Sequence, residues 1–329
     1  MRIKYDRISI LMLLFLCPCL LAAQSKSVFQ ITYQGKAYPL YPGAMDVRPD
    51  IPSPYTTSSG IEVVTAFTED EQYVLIPVTV ENGDPWEPAR GLWGKGNQLA
   101  VNARDFPTLA RTGLHSDEEL DTLTTITGRP LDEIDRQGRP GGLSSAGFMA
   151  YEEDLRSVLR GDNELVGRMG LTHNELARPL FHVWNMLMEV NHEGIVFVLY
   201  NNQTVFVNAH RTKPAQLSLF NDGFLGGSDI YISRTLSASE RAFLRRQYPD
   251  QVLTAEQMED LLYLLSHIHT GELEAYYVMR HGFYEGHTEY RVDPIAIALI
   301  FGLRSIEEIE SAFPEELFYA LTDYFISPE

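Results

Sequence analysis

Five short motifs of the form Ser/Thr-x-x-Glu/Gln constrain the fold of this chain more than any other feature. In such a capping box, the side chains of the first and fourth residues each accept a hydrogen bond from a backbone N–H that the helix leaves unpaired. Each motif therefore predicts the first turn of a helix. The five motifs are Ser116–Glu119, Thr172–Glu175, Ser237–Glu240, Thr254–Gln257 and Ser305–Glu308.

Apolar residues at helical spacing accompany these motifs and predict a mainly α-helical domain over residues 116–329. We expect helices near 117–126, 146–160, 173–193, 238–248, 255–268, 294–303 and 306–325, the last broken at Pro314. Asp293 and Pro294 supply a favoured N-cap and a favoured first helical residue. The helix that they start is apolar nearly all round, so we expect it to be buried.

Residues 24–115 are predicted to form a β-rich N-terminal region, because "SVFQITYQGKAYPLY" alternates apolar and polar residues around a Gln34-Gly35 turn. A second β segment, "GIVFVLYNNQTVFVNAH", surrounds Asn201-Asn202 and predicts a hairpin within an insertion at about 195–234. Both faces of that hairpin are apolar, which predicts burial on both sides. The predicted fold class is α+β, with a β-rich N-terminal part followed by a mainly helical domain that contains a central β-hairpin insertion.

The first 23 residues have the pattern of a signal peptide. Basic residues precede the apolar run "ISILMLLFLCPCLL", which is too short to span a bilayer comfortably and ends in Ala22-Ala23. Cys17 and Cys19 are the only cysteines, so a chain cut after Ala23 would contain no disulfide and no thiolate ligand. We expect an exported protein, periplasmic or extracellular, with no transmembrane segment in the mature chain.

The strongly acidic balance excludes some partners. The chain carries a formal charge of −19, and residues 1–23 hold three basic residues and one acidic residue, so the remainder is near −21. Binding to nucleic acid or to an anionic membrane needs clustered positive charge. We expect no nucleic-acid partner and consider a small molecule or a cell-envelope polymer instead.

The stretch "MRHGFYEGHTEYRVDP", residues 279–294, is the main candidate site. Glu285, His287 and Arg291 are candidate catalytic residues, since a carboxylate or imidazole can act as a general base. His281 could bind a divalent metal such as zinc together with His267 and His269, which would point the same way in an extended segment. The alternatives are a hydrogen-bonded turn in this loop and, for His267 and His269, capping of a helix end.

Four polar residues outside that loop are candidate ligand-binding groups, and Tyr284 inside it is a fifth. Arg129 and Arg139 each lie in a Gly-Arg-Pro sequence, where a guanidinium could bind a carboxylate, phosphate or sulfate; helix-start and turn geometry explain both sequences equally well. His182 and Asn185 are three residues apart on one face of a predicted helix, where they form either a buried polar pair or part of a cleft.

Two hypotheses for the function follow. The first is a metal-dependent hydrolase whose site combines His, Glu and Arg residues around 267–291. The second is a non-catalytic extracytoplasmic protein that binds a ligand or serves as a scaffold. The hydrolase predicts that several of the histidines converge in one pocket, whereas the binding protein predicts that they are scattered and individually bonded.

Overall fold

A six-stranded sheet forms the β part of the protein in this computed structural model, which describes residues 29–42, 55–56, 62–67, 73–77, 114–126, 128–190, 193–220, 225–314 and 316–322. Its strands are β1 (Phe29–Tyr33), β2 (Lys36–Pro42), β8 (Gly194–Tyr200), β9 (Gln203–Leu217), β10 (Leu225–Ser233) and β11 (His267–Thr270). The spatial order is β1-β2-β8-β9-β10-β11, and β2 and β8 are parallel whereas the other pairs are antiparallel.

Two tight turns create the hairpins that the sequence predicts. Gln34 and Gly35 have φ angles of 49° and 76°, and Asn201 and Asn202 have φ angles of 44° and 62°. Positive φ at both central residues is the geometry of a two-residue turn whose twist matches that of the flanking strands. Both predicted hairpins are confirmed.

The parallel pairing of β2 with β8 joins two regions that the sequence treats separately. Leu40 lies opposite Phe197, so the N-terminal hairpin and the central insertion belong to one sheet.

Two smaller sheets complete the β structure of the described residues. They contain β3 (Tyr55–Thr56), β4 (Glu62–Phe67) and β5 (Tyr73–Pro77), and β6 (Thr125–Ile126) with β7 (Arg129–Pro130).

Ten helices lie in the described residues after residue 116, together with strands of the large sheet, which agrees with the predicted combination of α and β structure. They are α1 (Asp117–Thr122), α2 (Leu131–Gly138), α3 (Leu155–Arg168), α4 (His173–Glu189), α5 (Ala238–Gln247), α6 (Ala255–Ser266), α7 (Glu274–His281), α8 (Pro294–Ile300), α9 (Ile306–Ala312) and α10 (Leu317–Thr322). All five capping boxes form, with both reciprocal hydrogen bonds present. None of the helices in the described ranges is long and apolar enough to cross a membrane.

Two predicted helix boundaries are wrong, and one helix was missed, for identifiable reasons. The helix expected at 146–160 begins at Leu155, because Asp154 is the N-cap and its side chain accepts a hydrogen bond from the Ser157 N–H. The helix expected to run to 268 ends at Ser266, after which His267 is already extended and starts β11. Helix α7 was not predicted, because its N-cap, Leu273, makes no side-chain cap. The interruption near Pro314 is confirmed.

The core lies between one face of the sheet and the helices. Helix α8 is buried along its whole length, as predicted, and Val196, Val207 and Ile232 face the helices from three adjacent strands. The opposite face of the sheet is only partly covered by the described residues, and Tyr231 on that face is 43% exposed. In the central hairpin itself, Phe197 is buried on this face, whereas Phe206 is half-buried and Thr204 is exposed, so the expected burial on both sides is only partial among the described residues.

Candidate functional site

The loop of residues 282–293, which connects α7 to α8, is held firmly at both ends. Gly282 has a φ of 62°, and a Cβ atom there would lie 2.7 Å from the rings of His115 and His173. Asp293 caps α8, where its Oδ1 accepts hydrogen bonds from the N–H groups of Ile295 and Ala296 at 2.8 and 3.4 Å. Only glycine fits at position 282, and Asp293 forms the helix cap that the sequence predicts.

Glu285, a predicted catalytic residue, lies inside the protein and faces another carboxyl group. Its carboxyl hydrogen-bonds to that of Glu274 and accepts a bond of 2.6 Å from the Thr288 hydroxyl. Burial raises the pKa of Glu285 well above its usual range, and the nearby Glu274 raises it further. Burial also raises the pKa of Glu274 to about 7. Neither carboxyl reaches the surface, since Glu285 is 2% and Glu274 is 4% exposed.

Arg291, another predicted catalytic residue, is equally inaccessible. Its Nη1 donates to the Glu285 carbonyl at 2.6 Å, its Nη2 donates to Asp162 at 2.7 Å, and its Nε lies 3.8 Å from Asp293. The side chains of Arg291 and Asp162 are fully buried. Burial raises the pKa of Asp162 to about 6, against the opposing attraction of Arg291. Here Glu285 and Arg291 fix the loop and do not contact a groove.

His287, the remaining predicted catalytic residue, is partly exposed and is oriented by Glu153. Its ring Nδ1 bonds to Glu153 Oε1, and its backbone N–H donates to Glu153 Oε2 at 2.9 Å. A Cβ on Gly286 would lie 2.1 Å from the Glu153 carboxylate, so a larger residue there would displace that carboxylate from His287. Glu153 and His287 line an acidic groove of about 810 Å³ between α3 and α10.

The histidines that the sequence suggests as metal ligands are not brought together. His281 is buried and its ring lies 4.0 Å from that of Phe220. His267 and His269 lie on the same outward face of β11, as the extended-segment alternative predicts. Within the ranges that the structure describes, no group of three or more His, Cys, Asp or Glu side chains could hold a metal ion. The expected three-histidine site is therefore not formed there.

Arg129, Arg139 and Tyr284, three of the predicted ligand-binding residues, bond to the protein itself. Arg129 donates to the Leu219 carbonyl at 2.6 Å and also to Glu133 and Gln137, and Arg139 donates to the Glu153 carbonyl at 3.2 Å. The Tyr284 hydroxyl is buried 2.9 Å from His173 Nδ1. Burial lowers the pKa of His182 to about 4, and the side chain of Asn185 lies outside the described residues. The helix-and-turn interpretation of both Gly-Arg-Pro sequences is the one that these contacts support.

An open groove of about 550 Å³ runs across the outward face of the sheet and was not predicted. We call it the aromatic groove and define it by six lining side chains. They are Tyr33, Phe206, Tyr231, Tyr263, His267 and His269. The rings of Tyr33 and Phe206 pack together with their centroids 4.8 Å apart. Tyr263, on α6, is 61% exposed.

Two stacked Tyr–His pairs lie side by side in the aromatic groove. The rings of Tyr231 and His269 are 4.4 Å apart with planes 2° apart, and those of Tyr263 and His267 are 4.4 Å apart with planes 13° apart. His267 and His269 alternate with the buried Ile268, so both imidazoles project from the same face. The groove therefore presents flat aromatic surfaces at two neighbouring positions.

The tautomer of neutral His267 follows from its hydrogen bonds. Its Nδ1 lies 3.2 Å from the Tyr263 carbonyl, which can only accept, and 2.8 Å from the Ser266 hydroxyl, which already donates to the Leu262 carbonyl at 2.6 Å. Nδ1 must therefore carry the hydrogen. In the neutral ring this makes Nε2 the hydrogen-bond acceptor.

The far end of the aromatic groove meets the 282–293 loop through Tyr290. The Tyr290 hydroxyl donates to Asp229 at 3.0 Å, and its ring lies 4.7 Å from that of His269. The two nitrogens of His269 lie 3.9 Å from Asp229 and 3.8 Å from Glu289. The predicted loop therefore supports this groove through the contact of Tyr290 with His269, and not through its predicted catalytic groups.

Sequence reasoning missed the tyrosines of the aromatic groove because their signal was ambiguous. Tyr231 and Phe206 stand in apolar runs that suit a strand buried on both faces, and Tyr263 lies in a helix of mixed character. The spacing of His267 and His269 was the usable signal, and it identified the face although it suggested a different chemistry. Comparison of the chain with models of protein families, with curated proteins and with solved structures finds no match in any of the three.

Proposed function

We propose that this chain is a non-catalytic binding protein that holds a neutral carbohydrate chain in the aromatic groove. The observation that carries the proposal is the pair of Tyr–His stacks at neighbouring positions on one open face. A pyranose ring has a broad C–H face that packs against an aromatic ring, and successive rings of a glycan need successive flat surfaces. An aromatic lining with a few polar groups is a common composition for a ligand site.

Polar side chains beside the stacks suit the hydroxyl groups of a sugar. Gln203, Thr204, Ser233 and Thr235 line the same groove, and each offers both a donor and an acceptor. His267 adds an acceptor at Nε2 in its neutral form. Each hydroxyl of a sugar can both donate and accept a hydrogen bond. A sugar therefore matches this mixed lining better than a purely apolar ligand would.

The charge of the groove favours a neutral ligand. Among the described residues that line it, Arg234 carries the only permanent charge, and that guanidinium is buried and bonded to Glu240 at 2.8 Å. The chain as a whole carries −19, which repels uronates and sulfated sugars at long range. The export predicted from residues 1–23 would bring the groove into contact with envelope or extracellular polysaccharides.

A hydrolase is the second candidate, and the contact between His287 and Glu153 is the observation that favours it. A carboxylate that orients an imidazole is the arrangement of a general base. His287 lies in the acidic groove, apart from the lining of the aromatic groove. Among the described histidines, His281 lies in the core while His267 and His269 share the aromatic groove, so the histidines proposed as metal ligands do not converge in one pocket.

Titration calorimetry with neutral oligosaccharides of β-linked glucose, xylose and mannose tests the proposal. We expect at least one series to bind, and Tyr231→Ala and Tyr263→Ala each to lower its affinity about tenfold, or about 1.4 kcal/mol. Tyr319→Ala is the matched control, since Tyr319 is 53% exposed but lies in the acidic groove. Absence of binding to every series, or equal loss in the control, would contradict the proposal. Release of reducing ends that is abolished by His287→Ala would favour the hydrolase.

A further inference from the structure

Beneath the 282–293 loop, four buried carboxyl groups and a single guanidinium form one connected cluster, in which Arg291 pairs with Asp162 and Asp293, and Glu274 contacts Glu285. Asp162, Glu274, Glu285 and Asp293 are each 5% exposed or less, and Arg291 bonds or pairs with groups of three of those residues. If all four carboxyls were ionised, the cluster would hold three uncompensated negative charges in a low-dielectric interior. Burial of unbalanced charge is costly, and protons are the simplest means of balancing it.

No other cation among the described side chains in contact with this cluster can take the place of those protons. The neighbouring imidazoles are His173, bonded to Tyr284, and His115, which packs against His173. Burial lowers the pKa of both imidazoles, so they are neutral near pH 7. Thr270 and Thr288 contact the Glu274–Glu285 pair with hydroxyls, which carry no charge.

The same loop contacts a lining residue of the aromatic groove, because Tyr290 packs against His269. Glu285 and Tyr290 lie in the loop five positions apart, and Arg291 ties the segment between them to Asp162 on α3. Tyr290 in turn bonds to Asp229 and packs against His269. A rearrangement that hydrates Glu285 would therefore move the aromatic ring that packs against His269.

We propose that the Glu274–Glu285 pair is a proton-controlled latch that holds the 282–293 loop, and with it Tyr290, against the end of the aromatic groove. The loop is closed while the pair holds its protons and loosens as they leave. The control of ligand affinity by this latch rests on the proposed function, whereas the movement of the loop does not.

The direction of the pH dependence follows from the pKa shifts. Both carboxyls have a raised pKa in the folded protein, so the closed loop is stabilised below their ordinary pKa. That stabilisation falls as the pH rises from the ordinary carboxyl pKa towards the folded values, and the part due to Glu274 is fully lost by about pH 7. Asp162, with a pKa of about 6, acts in the same direction, and Arg291 opposes both by favouring the ionised forms.

Hydrogen exchange on the full chain, measured from pH 5.5 to 8.5 without ligand, tests the latch. The amides of Gly286, His287 and Val292 report the loop, because they bond to Phe148, Glu153 and Tyr284, and α8 serves as the internal reference. After correction for intrinsic exchange, we expect loop opening relative to α8 to rise with pH by up to about tenfold per pH unit for each carboxyl that is protonated only in the closed loop, with the contribution of Glu274 ending near pH 7. Glu274→Gln should flatten this rise, whereas the exposed Glu289→Gln should leave it unchanged.

Each outcome decides the proposal. A flat profile in the parent protein overturns the latch even if Glu274→Gln does not fold. An equal rise in the parent and in Glu274→Gln also overturns it. A transition in the loop without glycan binding at any pH would leave the latch and remove the proposed function. Glycan binding with a flat exchange profile would support the proposed function and overturn the latch.

Discussion

The imidazole of His269 lies flat on the ring of Tyr231, with ring centroids 4.4 Å apart and planes 2° apart. The stack places an aromatic surface on the strand at the edge of the sheet, next to a second stack of the same kind. It also connects the groove to the 282–293 loop, because His269 contacts Tyr290 on another side.

Replacing His269 should weaken both the fold and the groove. His269→Ala removes the stack, and we expect a loss of about 1 kcal/mol in the free energy of unfolding by urea, with His269→Phe recovering most of it. His210→Ala is the control, because that ring approaches the same Tyr231 only edge-on at 6.3 Å. Equal losses for the alanine variants at 210 and 269 would show that the stack contributes nothing specific.

Gly282→Ala should be far more destabilising than the same change at Gly35. Both residues have a positive φ, so each alanine is strained by about 1 kcal/mol. At Gly282 the new methyl group would also lie 2.7 Å from His115 and His173, whereas at Gly35 it meets nothing within 4 Å. Thermal unfolding of the two variants gives the comparison. A similar shift for both would mean that the two imidazoles move aside at little cost.

Arg291→Met should cost about 3–5 kcal/mol, because it leaves Asp162 and Asp293 buried without their cation. The matched control is Arg245→Met, which breaks an exposed pair with Glu259 at 3.3 Å and should cost less than about 1 kcal/mol. Urea unfolding near pH 7 measures both. If the variants proved equally stable, protonation of the carboxyls would be absorbing the whole effect.

His182 should make the protein less stable in acid. Burial lowers its pKa to about 4, so its contribution is complete above the unfolded value of about 6.5 and is lost as the pH falls towards 4. The full effect is on the order of 3 kcal/mol by that linkage. His182→Gln should flatten the stability profile between pH 6.5 and 4, and His210→Gln on the exposed part of β9 should not. Parallel profiles for all three proteins would contradict this.

Much of the helical architecture could be predicted because its causes are local. The side chains of Ser237 and Glu240 each accept a hydrogen bond from the other residue's backbone N–H. The Asp293 cap and Pro294 also need no partner from elsewhere in the chain. Asn201-Asn202 likewise contains its own turn. Such features depend on a few consecutive residues, so the sequence alone specifies them.

The candidate site depended on contacts that the sequence does not contain. Glu285 and Arg291 are suitable catalytic groups by type, but Glu274, Asp162 and the capped α8 bury them, and those partners are distant in the chain or indistinguishable from exposed acids. His281 falls on the core side of the fold, whereas His267 and His269 face outward, because the chain passes through α7 between them.

The sequence by itself determined where the helices with capping boxes begin, where two tight turns lie, and that the chain combines α and β structure, because capping and turn geometry act over three or four residues. Only the tertiary structure decided that β2 pairs with β8, that Tyr231 and Tyr263 line one groove with two histidines, and that the polar loop is buried. Those outcomes depend on which apolar faces bury each other, and burial is a property of the whole chain.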